Sequence, residues 1–264
     1  MDNLHRALAP ISEAAWAEIE EEARRTFVLH LAGRRVVDLS GPAGPALAAV
    51  GTGHLTPLPP PAEGLRARAH QVRPVVELRT RFTLSRDAVD DVERGSKDSD
   101  WQPVKDAART MAMAEDRAVF DGWPEAGISG LRAAADNPPV ALPQDVTAYP
   151  DTVSHALSTL RLAGVGGPYA LLLGADAYTA VNETSDHGYP IRQHIARALD
   201  CPLIWAPALT GGVLLSTRGG DFELHLGQDL SIGYLRHDAD TVELYLQQAL
   251  TFSLYSPEAA VPLV

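Results

Sequence analysis

The sequence predicts an α+β protein, because long amphipathic helices and period-two strands flank a block of alternating short helices and apolar strands along its 264 residues. Three observations carry this reading. Amphipathic helices are written at residues 12–30 and 103–120, strands of alternating character at 76–84 and 242–247, and short helices interleaved with apolar strands across 139–216. With 45% hydrophobic residues, a chain of this length can bury a substantial core.

The elements follow in order. Ser12 is placed to N-cap the first helix, in which Trp16, Ile19, Ala23, Phe27 and Leu31 recur at helical spacing. Glu20, Glu21, Glu22, Arg24 and Arg25 fall mainly on the other faces, so by this pattern alone the helix docks on its own core. From 41 to 64, Pro42, Pro45, Pro57, Pro59, Pro60 and Pro61 interrupt every candidate helix. A long loop or an extended hairpin results, and on composition alone a disordered Pro-rich excursion also fits. Val76, Leu78, Thr80, Phe82 and Leu84 then alternate with Glu77, Arg79, Arg81 and Thr83, as in a half-buried strand. The second long helix tolerates Pro103 in its first turn and carries Val104, Ala107, Ala108, Met111, Ala114 and Ala118 along one stripe.

Residues 139–216 read as a compact α/β unit, with helices at 151–162, 175–182 and 190–199, strands at 168–173, 202–205 and 213–216, and a loop at 183–189. In residues 219–234, two apolar runs, each able to pair as a strand, flank a Gly227-Gln228-Asp229 turn. Val242, Leu244 and Leu246 next alternate with Glu243, Tyr245 and Gln247.

Motifs for chemistry are sparse. Gly164-Val165-Gly166-Gly167-Pro168 precedes a strand instead of joining strand to helix, so it does not aim helix-terminal amides at a phosphate. Neither a Walker-type phosphate loop, nor a Gly-x-Ser-x-Gly elbow, nor His-Glu-x-x-His is present. His187 and His194 are the nearest interesting histidine pair, but Pro190 breaks the helical phase between them and no further ligand stands at zinc-like spacing. Asp87, Asp90, Asp91 and Glu93 lack the glycine and terminal glutamate of a calcium loop and read as a solvated acidic face. Cys201, the only cysteine, precedes the apolar Pro202-Leu203-Ile204-Trp205 and reads as inert packing. No catalytic residue, metal site or cofactor is expected, and no intrachain disulfide can form.

The formal net charge of −12 argues against general binding to nucleic acid or an anionic membrane. Met1 to Pro10 lacks the basic start and apolar run of a signal peptide, and no stretch approaches a membrane span, so a cytoplasmic location is expected.

The stretch from Gly219 to Tyr234 closely resembles a segment of the encapsulin shell proteins, the linocin-like family of bacterial nanocompartments with the tailed-phage (HK97-like) capsid fold. Further segments extend the resemblance in order along the chain: Leu4-His5-Arg6, Gly33-Arg34 with Val37-Asp38, Val76-Glu77-Leu78-Arg79, Val92-Glu93-Arg94-Gly95, Ala114-Glu115-Asp116, Gly127-Ile128-Ser129-Gly130-Leu131 and His187-Gly188-Tyr189-Pro190. The resemblance implies a peripheral domain begun at 1–47, an extended arm (E-loop) at 48–75, the peripheral domain with its spine helix at 76–138, an axial domain at 139–216, and a return to the peripheral domain at 217–264.

It further implies a non-enzymatic shell protomer that self-assembles, in its simplest form, into an icosahedral particle of roughly sixty copies. The partners implied are other copies of the chain and a cargo enzyme bound through its C-terminal targeting peptide, a dye-decolorising peroxidase or alternatively a ferritin-like protein, for oxidative-stress defence or iron storage. By the same resemblance, Phe27, Leu31, Arg34, Asp38, Leu230 and Ile232 form the cargo pocket. Glu183, Thr184, Ser185, Asp186, His187 and Gly188 form the pore loop at the fivefold axis, although as a bare sequence this is also an ordinary surface loop. Two other functions stand beside this one: a phage-derived capsid protein packaging nucleic acid, against which acidity weighs, and a protease or bacteriocin, for which no residue set is found.

Overall fold

The computed structural model describes residues 3–199 and 202–264; Cys201 lies outside the described residues. In chain order the elements are helix α1 (Glu13–His30), strands β1 (Asp38–Ser40), β2 (Ala49–Leu58), β3 (Ala67–Pro74) and β4 (Val76–Ser85), and helices α2 (Arg86–Glu93) and α3 (Gln102–Phe120). There follow β5 (Gly122–Trp123), β6 (Ile128–Ser129), α4 (Tyr149–Leu162), β7 (Tyr169–Leu173), α5 (Ala175–Glu183), β8 (Ser185–Asp186), β9 (Tyr189–Pro190) and α6 (Ile191–Leu199). The last are β10 (Leu203–Trp205), β11 (Gly212–Ser216), β12 (Phe222–His237), β13 (Thr241–Leu254) and β14 (Ala260–Leu263).

The first helix begins where its cap lies: Ser12 Oγ accepts from the Ala15 amide at 3.2 Å. Its stripe, Trp16, Ile19, Ala23, Phe27 and the following Leu31, is buried. That stripe packs with α3 over a four-stranded sheet of order β1-β12-β13-β4. A second sheet, β10-β7-β11-β14, is buried along the whole of β7 and β11 and apolar there up to Ser216 at the end of β11, as expected of strands covered on both faces. The long strands β12 and β13 pass through both cores: Ile232 and Leu244 belong to the one under α1, Leu224 and Phe252 to the other.

Three expectations are corrected. Residues 219–234 do not turn at Gly227-Gln228-Asp229; β12 is one strand with bulges there. Its register moves from Leu226 opposite Leu250 to Gln228 opposite Ala249, then to Ser231 opposite Gln247, so β12 gains one residue on β13 at each step. The pairing of β13 on both sides holds the strand continuous, and the surplus residues bulge out of the ladder. Residues 183–189 are not a plain loop either: β8 and β9 pair as a short hairpin. Lastly, the segment after 217 does not return wholly to the first sheet, because β14 pairs antiparallel with β11 and Ala260–Leu263 completes the second sheet.

Strands β2 and β3 pair only with each other, in a ribbon in which no residue is buried. A lone two-stranded ribbon is marginally stable in water. This one exposes Leu58, Leu65 and Val72 by about half each, at 48%, 57% and 56%.

Candidate functional site

The bulge in β12 lies beside the C-terminal half of α1, and the two enclose a groove of about 470 Å³. Phe27, Arg34, Leu230 and Ile232 of the expected pocket line it, together with Ala23, Val28 and Asp229. Leu31 and Asp38 do not. Leu31 caps the end of α1 and is buried in the core below. Asp38 is drawn elsewhere because β1 runs parallel to β12 at Glu223, and its carboxylate accepts from the Gly220 amide at 2.6 Å. Ile232 is itself 4% exposed and belongs to the core as much as to the groove, whereas Val28, missed by the sequence pattern because it stands off the buried stripe, is 58% exposed.

Arg34 anchors the polar end of the groove. Its guanidinium donates to both carboxylate oxygens of Glu115, at 2.7 and 2.8 Å, meets Asp229 at 2.8 Å, and sits 5.1 Å from the centre of the Phe27 ring. Burial alone would lower the Arg34 pKa; the hydrogen bonds and charges of Glu115 and then Asp229 more than reverse this and hold it charged. For Glu115 the balance falls the other way: burial pushes its pKa up, against the pull of Arg34. Asp229 lies within the bulged stretch, between Gln228 opposite Ala249 and Ser231 opposite Gln247, and from there its carboxylate meets Arg34.

The adjoining Asp116 is buried beneath the turn that carries Arg34, accepting from the Ala32 amide at 2.8 Å and the Gly33 amide at 2.9 Å. A side chain at Gly33 would come within 2.9 Å of the same carboxylate, so glycine permits the approach. The two acids that interrupt the alanine stripe of α3 in Ala114-Glu115-Asp116 are the sequence signal for this support.

Burial raises the Asp116 pKa to about 7, with the two amide bonds opposing it. The folded protein therefore keeps a proton that the unfolded chain loses near pH 4. The contribution to stability is full below that pH, falls by ~4 kcal/mol in all as the pH rises from about 4 to about 7, and levels off above it. Thermal unfolding followed from pH 5 to 8 should show the wild-type protein losing stability relative to Asp116→Asn, which cannot ionise. Parallel profiles would show that Asp116 does not titrate there.

The expected pore residues fall together in one projecting hairpin. Glu183 ends α5, Thr184 caps it, Ser185 and Asp186 form β8, and His187 and Gly188 make the turn, with Ser185 opposite Pro190 and Asp186 opposite Tyr189. Both turn residues have positive φ, 46° and 80°, as a tight two-residue hairpin demands. The His187 side chain is 97% exposed, 3.6 Å from Asp186. His194 packs edge-on against Tyr189 instead. The acidic residues expected on a solvated face lie on and around α2, where Asp91 pairs with Arg94.

One cluster has the composition of a hydrolase triad: Ser253, His225 and Glu223. Its geometry does not match. Ser253 Oγ and Glu223 Oε2 both face the same ring nitrogen of His225, Nε2, at 3.2 and 3.6 Å, and Ser253 is buried. A triad places the carboxylate on the opposite nitrogen and the hydroxyl in reach of substrate.

The family model described as an encapsulating protein for peroxidase matches residues 1–251 of the chain. The chain belongs to the encapsulin shell proteins. It is 65% identical to the type 1 encapsulin shell protein of Rhodococcus erythropolis, covering 100% of each chain. It is 59% identical to that of Mycobacterium tuberculosis, over 100% of this chain and 99% of the relative. Among solved structures, a virus-like particle from Pyrococcus furiosus matches with TM-score 0.64 and 11% identity, over 93% of this chain and 97% of that one. The capsid of an empty GTA particle matches with TM-score 0.52 and 15% identity, over 87% and 88%. At such identities these likenesses speak for the fold alone, and the fold is the α+β capsid fold.

Proposed function

We propose that this chain assembles with copies of itself into a closed icosahedral shell around an enzyme. The observation that carries this reading is the β2–β3 ribbon. None of its residues is buried within its own chain, and Leu58, Leu65 and Val72, each about half exposed, would be buried against a neighbouring subunit, while closed symmetry multiplies that one contact around the particle. The groove between α1 and the β12 bulge takes the C-terminal peptide of the cargo: an apolar floor receives aliphatic side chains, and the Arg34–Asp229 pair offers polar contacts. The description of the family as encapsulating a peroxidase favours a dye-decolorising peroxidase over a ferritin-like protein, and oxidative-stress defence over iron storage. The net charge of −12 opposes nucleic acid as the cargo. Mass spectrometry of native particles tests the cargo directly: co-purified peroxidase supports the reading, and nucleic-acid-filled particles would overturn it.

In the assembled shell the hairpin from Glu183 to Gly188 surrounds the fivefold opening. Repetition of the exposed Glu183 and of Asp186 around one axis would favour cations over anions. Glu183→Gln with Asp186→Asn should leave assembly intact and slow metal-cation entry, with little effect on a neutral solute of similar size. Stopped-flow uptake by a lumenal chelator reads the difference; equal rates in both shells would exclude this charge as the filter.

A further inference from the structure

The remaining wall of the groove is built by the N-terminal strap, whose Leu4 and Arg6 line it opposite α1. This strap is held at several points. The Tyr234 amide donates to Leu4 O at 2.8 Å, and the Tyr245 hydroxyl to Asn3 O at 3.3 Å. Arg6 pairs with Glu20 at 2.5 Å, and its guanidinium lies 4.2 Å from the centre of the Trp16 ring. Between them His5 turns the chain with φ 52° and ψ 24°, a left-handed conformation disfavoured for any residue with a β-carbon except where local contacts impose it. That one turn lets Leu4 bury at 9% exposure while Arg6 folds back over Trp16.

The charges around the groove are already engaged: Arg6 with Glu20, Arg24 with Glu21, and Arg34 with Glu115 and Asp229. Little is left to discriminate an occupant by charge, so discrimination falls to the shape of the apolar cleft between Leu4, Phe27 and Leu230. We infer that the strap turned at His5 is the specificity wall of this groove, with Leu4 limiting the size of the side chains accepted from the cargo's tail. The inference rests on the groove being the cargo dock and goes beyond it, since the dock could equally have a floor and no selective wall.

A fluorescent reporter protein carrying Gly/Ser tails with Ala, Val, Leu or Phe at alternate positions, co-expressed with the full-length protein, tests it through the reporter retained on purification. Leu4→Ala should shift preference toward the Phe tail by about tenfold, the usual scale of discrimination for a methylene or more in an apolar pocket. His5→Pro, whose φ is fixed near −65°, should lower retention of every tail, while His5→Gly, which adopts positive φ freely, should match the wild type. Equal thermal melting of the variants shows that folding is not what changed. Wild-type tail preferences in Leu4→Ala and His5→Pro, with all tails lost in Val28→Asp, would overturn the strap's role and leave the dock standing. Full retention in Val28→Asp, or no tail retained by the wild type, would overturn the dock and the strap together.

Discussion

Deletion of residues 53–66 should yield a folded protomer that elutes as small oligomers in size-exclusion chromatography. The deletion removes the distal part of β2, the turn and Leu58 and Leu65, and joins Thr52 to Ala67. Thr52 Oγ1 donates to Gln71 O at 3.2 Å, so Ala67 to His70 can bridge the shortened ribbon without disturbing its base, where Ala49 pairs with Pro74. Both cores lie elsewhere, under α1 and around β7, and near-UV circular dichroism should report them intact. What the deletion does remove is apolar surface that a neighbour would cover, at ~25 cal/mol per Å² and repeated at each symmetric contact. Normal-sized particles from the deleted chain would show that the main interface lies elsewhere.

Val28→Asp should abolish cargo loading while leaving particles of normal size. Val28 is 58% exposed on α1, so the folded chain tolerates a carboxylate there, yet the carboxylate would project into the apolar groove proposed to receive the peptide. Each aliphatic contact is worth ~1.5–3 kcal/mol, so losing one and burying a charge beside the remainder should weaken a single peptide by at least about tenfold. Oligomeric cargo gains avidity from several grooves at once and loses correspondingly more. Co-purification of a reporter fused to the cargo's C-terminal peptide measures the loss, and undiminished loading would remove the groove from consideration. Ile232→Asp is the poorer probe: at 4% exposure it would bury an unpaired charge in the core under α1 and unfold the chain before it tested binding.

Legibility from the sequence tracked how local the cause was. Ser12 and the stripe from Trp16 to Leu31 specified α1 because a cap and a helical period act within a few residues, and the apolar-polar alternation of Val76 to Leu84 specified β4 for the same reason. The family, too, was readable from short segments in a shared order. Groove residues were harder. Phe27, Arg34, Leu230 and Ile232 follow from resemblance and meet in one groove, but Leu31 is buried below it, and parallel pairing of β1 with β12 commits the Asp38 carboxylate to Gly220, which no local pattern records.

Long-range pairing decided everything else. Gly227-Gln228-Asp229 has the composition of a turn, and only the neighbouring strand β13, hydrogen-bonded along both sides of it, converts that turn into a bulge from which Asp229 meets Arg34. The ends of the chain are the same case: Leu4 becomes a groove wall through the Tyr234 amide, a contact that spans most of the sequence, and Ala260–Leu263 joins the second sheet through β11, well beyond the reach of any local pattern. Residue types set the local conformations available to a segment; which of them survives, and which side chains then face each other, depends on the free energy of burial and pairing with residues far away, which no local pattern contains.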